Sequence, residues 1–192
     1  MKKFRIVKES FQNIKKCPGC ALKKHRRNQV IGKGSIPATI LFIGEAPGKS
    51  EDLLGEPFVG PSGNLLNRMI RDASDLAKCK PPSYFITNTV LCRPWIWDNS
   101  RDNYGSNREP KRSEILACKK NIIEIANIIE PEFVVFIGQV SFMYYSGEFK
   151  DNARITHPSA HLRFGGDYGG QTSPMYNTDI RTLSDLFRRF KC

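Results

Sequence analysis

No stretch of this chain is apolar for long enough to cross a bilayer. Its aliphatic runs, such as Ala38-Thr39-Ile40-Leu41-Phe42-Ile43 and Phe133-Val134-Val135-Phe136-Ile137, are six and five residues long, against the roughly 18 that a span needs. The basic residues near Met1 are not followed by an apolar segment, so no membrane association and no secretory leader are expected, and a cytoplasmic location is. Disulfides are accordingly not expected. No segment repeats itself, which excludes solenoids and propellers. Histidine is scarce, at three residues, so chemistry that needs an imidazole has few candidates. Acidic residues are outnumbered, nineteen against thirty Lys and Arg, giving a formal net charge of +11. That balance favours a polyanionic partner over a membrane surface or an acidic metabolite. The excess gathers early, with ten basic residues between Lys2 and Arg27, which predicts a basic N-terminal face.

What the chain does have is cysteine, six of them, which in a cytoplasmic protein are read as metal ligands before they are read as disulfides. Cys17-Pro18-Gly19-Cys20 places two thiolates on a tight turn, where both can face one metal centre. Two further ligands would come from Cys79, Cys92, Cys118 and Cys192, and spacing alone does not choose among them.

The length of 192 residues fits one domain, residues 1–192. Continuous β-rich runs predict buried strands at 38–43, 84–91 and 133–137 and a shorter one at 154–156, each running into a polar or Gly/Pro-rich loop. Apolar residues at helical spacing predict helices over 62–78, 113–128 and 178–190. Strands alternating with helices imply an α/β fold, a three-layer α/β/α sandwich around a mostly parallel sheet of about four strands. Ligands of such sheets bind at the strands' carboxyl ends. Residues 1–30 form a basic segment, and 95–110 are polar enough to be an inserted loop or flap.

Those carboxyl-end loops carry, in order, Cys17-Pro18-Gly19-Cys20, Gly44-Glu45-Ala46-Pro47-Gly48, Gly55-Glu56-Pro57-Phe58-Val59-Gly60-Pro61-Ser62-Gly63, Ile86-Thr87-Asn88 with Leu91-Cys92-Arg93-Pro94, and His157-Pro158-Ser159. This series resembles the family 4 uracil-DNA glycosylases across residues 17–162. The resemblance implies an enzyme that flips uracil out of DNA and hydrolyses its N-glycosidic bond, initiating base excision repair, with uracil-containing DNA as partner and the chain a monomer. It also implies a 4Fe-4S cluster on Cys17, Cys20, Cys92 and Cys118, with Cys79 and Cys192 left free.

Within that likeness each motif has a task that suits its residue types. Breaking the bond leaves a uracil anion and a positively charged sugar, and both must be stabilised. Phe58 matches the family's stacking residue, and stacking helps offset the few kcal/mol of unstacking. Asn88 offers a carbonyl and an amide to the N3 donor and O4 acceptor of uracil, a pair reversed on cytosine. His157 matches the residue that donates to O2 as charge grows there. Gly44, Ala46, Pro47 and Gly48 shape the first loop, and alanine at 46 cannot polarise water as the aspartate of family 1 enzymes does, so Glu45 and the backbone groups of the loop are the candidates for orienting the water. Ser159 and Arg163, with Lys49 and Arg93, are candidates for phosphate contacts, and Leu162 for a wedge in the minor groove.

The likeness departs at Trp95 to Ser106, where ordinary members have a short connection. A related group that traps uracil-DNA covalently has a longer loop there, ending in a nucleophilic histidine. This loop has none, so trapping is not expected, and its tryptophans could stack bases or anchor the loop. Two other classes stay open: a reader of uracil or single strands that does not hydrolyse them, and a nucleic-acid module whose cysteines bind zinc.

Overall fold

The computed structural model describes residues 2–97, 105–165 and 173–190. Helix α1 (Lys2–Lys15) leads through a short 3-10 turn to strand β1 (Lys33–Gly34) and strand β2 (Ile40–Gly44). Helices α2 (Lys49–Leu54) and α3 (Pro61–Ala77) follow, then β3 (Tyr84–Asn88), the short strands β4 (Trp95–Ile96) and β5 (Ser106–Asn107), and α4 (Arg112–Ile129). The remainder is β6 (Phe133–Ile137), α5 (Gln139–Tyr145), β7 (Asn152–Ile155), α6 (Pro158–Gly165) and α7 (Tyr176–Arg189).

The main sheet has five strands in the order β1-β3-β2-β6-β7. The four strands expected from the sequence are all there and parallel, and the fifth, β1, is an antiparallel edge pairing Lys33 with Ile86 and Gly34 with Phe85. Four was therefore one too few. Residues 40–43 and 133–137 are wholly buried because successive side chains leave a strand on opposite faces and both faces are covered. Leu41, Ile43, Val134 and Phe136 join Ile115, Ile122 and Ile125 of α4 in one core. Ile40, Phe42, Val135 and Ile137 join Leu66, Met69, Leu183 and Phe187 of α3 and α7 in the other. This is the three-layer sandwich. The basic N-terminal segment is not loose, since Ile14 of α1 is buried in the α4 core.

Beyond β2 the chain passes to α3 on one face, and beyond β6 to α5 on the other. The crevice this reversal opens lies between those strands at their carboxyl ends, the place where open α/β sheets bind ligands.

Three further expectations change. The third strand stops at Asn88 rather than 91, because the chain turns inward and buries Val90 and Leu91. The inserted loop begins and ends as a hairpin, Trp95 pairing with Asn107 and Ile96 with Ser106, while its residues 98–104 lie outside the described residues. Cys79, expected to be free, is disulfide-bonded; it follows α3, and spatial proximity rather than sequence spacing decides such a bond. Cys192 lies outside the described residues. No helix among the described residues is long and apolar enough to cross a membrane.

Candidate active site

The loops after β2, β3 and β7, together with the segment before α3, enclose a cleft of about 520 Å³ lined by Glu45, Phe58, Asn88, His157, Ser159 and Arg163, among others. Gly44, which ends β2, makes the floor possible. A Cβ there would lie 2.5 Å from Asn88 Oδ1 and 2.6 Å from Phe58 Cζ, so only a hydrogen leaves room for both.

Phe58 is held at φ 53°, a conformation uncommon for a residue with a side chain and found where the surroundings enforce it. Glu51 supplies part of that enforcement. One of its carboxylate oxygens accepts the backbone N–H groups of Val59 and Gly60 at 3.1 and 2.9 Å, and the other accepts that of Gly48 at 3.1 Å. The first loop and the Phe58 loop are thereby joined through one side chain. The sequence reading missed Glu51; its place three residues after Gly48 hints at the first of these bonds and says nothing of the other two.

Asn88 is 1% exposed, and its Oδ1 has no hydrogen-bond partner. A buried carbonyl left alone costs about 1–3 kcal/mol, so its unmet capacity in a cleft marks a place where a ligand's N–H belongs.

His157 is partly buried, and its pKa is lowered to about 4, first by that burial and then by the nearby charges of Arg163 and His161. At neutral pH the ring is therefore uncharged. The Ser159 N–H donates to Nδ1 at 3.2 Å, and Ser159 Oγ lies 2.8 Å from the same nitrogen. An Nδ1 that accepts leaves the ring proton on Nε2, which makes Nε2–H the donor. Glu45 has its pKa raised, chiefly by burial and then by the charge of Glu109, with Arg163 acting against them. A carboxyl so placed holds a proton more readily than an exposed one and is the stronger base once ionised.

The remaining expected residues divide. Ala46, Pro47, Gly48 and Lys49 line the cleft with Ser159 and Arg163. Arg93 does not, being 3% exposed, and its guanidinium binds Asn107 Oδ1 at 2.6 Å and Gly105 O at 2.9 Å. It anchors the β4–β5 hairpin, so it is withdrawn as a phosphate contact. Leu162 packs partly buried against the α3/α7 core because residues 158–165 form a helix rather than the expected loop. The open apolar side chain of that helix is Phe164, 67% exposed. His161 is wholly buried and bridges Ser173 and Asp179.

Away from the cleft, Cys17, Cys20, Cys92 and Cys118 line one small cavity, all four as free thiols. Arg26 Nη1 donates to Cys92 Sγ at 3.1 Å, and Asn121 Nδ2 lies 3.3 Å from Cys17 Sγ and 3.9 Å from Cys118 Sγ. Among the described residues no three His, Cys, Asp or Glu side chains are grouped so as to hold a metal ion. The donor set nevertheless fits an iron-sulfur cluster in kind: four cysteine sulfurs, three of them (Cys17, Cys92 and Cys118) with a side-chain N–H donor directed at them, in a largely apolar enclosure.

A mostly parallel α/β sheet thus carries an aromatic ring, a buried amide and an uncharged imidazole around a cleft at its carboxyl edge, groups able to stack on and hydrogen-bond a flat heterocycle. The family model described as the uracil DNA glycosylase superfamily matches residues 31–181, and the chain belongs to that superfamily. Its relatives narrow the placement to the type-4 group. A type-4 uracil-DNA glycosylase of Archaeoglobus fulgidus is 34% identical over 204 aligned positions, covering 94% of this chain and 91% of the relative. One of Saccharolobus solfataricus is 40% identical over 131 residues, 68% of this chain and 55% of the relative. One of Thermotoga maritima is 33% identical over 134, 70% and 62% respectively. The matches to the latter two thus span less than two thirds of those proteins' length.

Proposed function

We propose that the chain is a uracil-DNA glycosylase, hydrolysing the N1–C1′ bond of deoxyuridine in DNA. The observation that carries this reading is the unpartnered Oδ1 of buried Asn88, beside Phe58 across Gly44. A uracil stacked on Phe58 would give its N3–H to that oxygen and receive the Asn88 amide at O4. Cytosine presents no N3–H and is turned away by an unpaired buried carbonyl. As the bond lengthens, His157 Nε2–H donates to O2, where negative charge collects. A neutral donor stabilises that charge without transferring a proton. Glu45 orients a water whose oxygen bonds to C1′ and whose proton passes to the carboxylate. Uracil leaves as its N1 anion.

Ser159 and Arg163 would meet the DNA backbone. Phe164, not Leu162, would be the apolar side chain presented to the duplex. The four cysteines would hold a 4Fe-4S cluster, which supplies a covalent tie between the N-terminal segment, Cys92 and α4 rather than a reactant. The whole chain acts as one domain and as a monomer in the cytoplasm.

The test is alkaline cleavage of end-labelled oligonucleotides containing one deoxyuridine, with wild-type protein and His157→Ala. A nick at uracil that the substitution abolishes is expected. Uracil-specific binding without a nick would replace hydrolysis by recognition alone.

A further inference from the structure

The cavity shared by the four cysteines has two side chains that belong to no ligand set. Arg26 is half-buried, and its guanidinium reaches Cys92 Sγ at 3.1 Å across 66 residues of sequence. Asn121 sits one turn after Cys118 on α4 and turns its amide toward Cys118 Sγ and, closer, toward Cys17 Sγ, 104 residues away. Both line the same cavity as the cysteines. A guanidinium is an improbable neighbour for a plain buried thiol, since a thiol is a weak acceptor and the cation gives up hydration to reach it. Beside a thiolate the same contact is a charge-assisted hydrogen bond.

We propose that Arg26 and Asn121 are the outer donors of the cluster, offsetting the charge of its thiolates and setting its resistance to oxidation. This rests on the cluster reading given above. A centre bound by four thiolates is net negative, and each electron added makes it more so. N–H donors and a cation at the sulfurs therefore favour the reduced form and raise the potential. Arg26 contributes charge and a hydrogen bond at Cys92. Asn121 contributes hydrogen bonding alone, at the junction of the N-terminal pair with α4. Removing Arg26 has the larger effect.

Wild type, Arg26→Ala, Arg26→Lys and Asn121→Ala, purified without oxygen, provide the test, with Arg71→Ala on α3 as a control. Iron content and absorbance near 400 nm (an approximate position for thiolate-bound iron) report loading. Electrode-driven titration followed by electron paramagnetic resonance reports the potential, and the decay of absorbance under ferricyanide reports oxidative loss. The expected result is full loading throughout, with Arg26→Ala shifting the reduced-to-oxidised ratio at fixed potential about tenfold toward oxidised, equivalent to about 59 mV for one electron. Bleaching should be several-fold faster, Arg26→Lys intermediate and Arg71→Ala unchanged. Should Arg26→Ala fail to load, Arg26→Lys and Asn121→Ala carry the comparison. Loaded variants with wild-type potential and bleaching rate would overturn the assignment of the donors and leave the cluster standing. Wild-type protein without iron would remove both.

Discussion

His161 and Asp179 meet at 2.8 Å inside the protein, and the same Asp179 oxygen that receives the ring also accepts the backbone N–H of Thr156 at 3.1 Å. One atom of α7 thus holds the chain on both sides of His157. Replacing Asp179 by alanine leaves a buried imidazole and a buried N–H without their acceptor, at about 1–3 kcal/mol each. Thermal unfolding of Asp179→Ala should show a clear fall in Tm, and single-turnover cleavage should slow because the His157 loop loses its register. A variant with wild-type Tm and rate would show that the shared oxygen does not position this loop.

For His157→Ala the cleavage rate should fall about 10²–10³-fold, the usual cost of removing one donor to a developing anion. Affinity for uracil-containing duplex, measured with a non-cleavable analogue, should change little, because the contact strengthens only as the base departs. Equal losses in both would refute the role.

The depressed pKa of His157 also makes a stability prediction. Between its ordinary value near 6.5 and about 4, the unfolded chain binds a proton that the folded chain does not, so stability falls as pH falls through that window. Urea denaturation at stepped pH should show this slope, and His157→Gln should flatten it. An equal slope in both proteins would argue against a neutral buried ring.

Glu45 titrates in the other sense. Its carboxyl is held above the ordinary range, and it serves as base only once ionised. Single-turnover rates should rise with pH through that raised pKa, and Glu45→Gln should be slow with the limb absent. Retention of the limb in Glu45→Gln would assign it to another group.

Replacing Asn88 by alanine should weaken discrimination between uracil and cytosine by about 1–3 kcal/mol, the worth of a bidentate pair. Competition between deoxyuridine and deoxycytidine substrates measures it, and unchanged selectivity would remove Asn88 from the base pocket.

On α6 the two apolar residues should behave differently. Leu162→Ala should lower Tm, because its side chain packs against the core. Phe164→Ala should spare Tm and single-stranded cleavage while slowing cleavage of duplex, where a base must be displaced from its stack. The reverse pattern would return the wedge to Leu162.

The parts of the fold legible in the sequence were those written locally. Phe133 to Ile137 is apolar throughout because both faces of β6 are covered, and the strand has the expected bounds. The pairing of β1 with β3 was not legible, since two residues beside a glycine carry no periodicity and the partner lies some fifty residues on. In the site, Gly44, Phe58, Asn88 and His157 were marked by their motifs and line or floor one cleft. The supports were not marked. His161 and Asp179 are 18 residues apart, and Arg26 and Cys92 are 66 apart. Contacts closed by tertiary folding leave no spacing to read, and where the family resemblance implies a loop after His157 the chain forms helix α6, proline at 158 being suited to a helix's first turn.

Glu51 binds three backbone N–H groups, one in the first loop and two beside Phe58. Two walls of the pocket are therefore tied together, and the ordering of those walls is met during folding rather than at each encounter with a ligand. A socket already shaped for the extruded base is equally shaped for free uracil after the bond has broken. On the proposed function, free uracil would then compete with the next damaged nucleotide for the same seat.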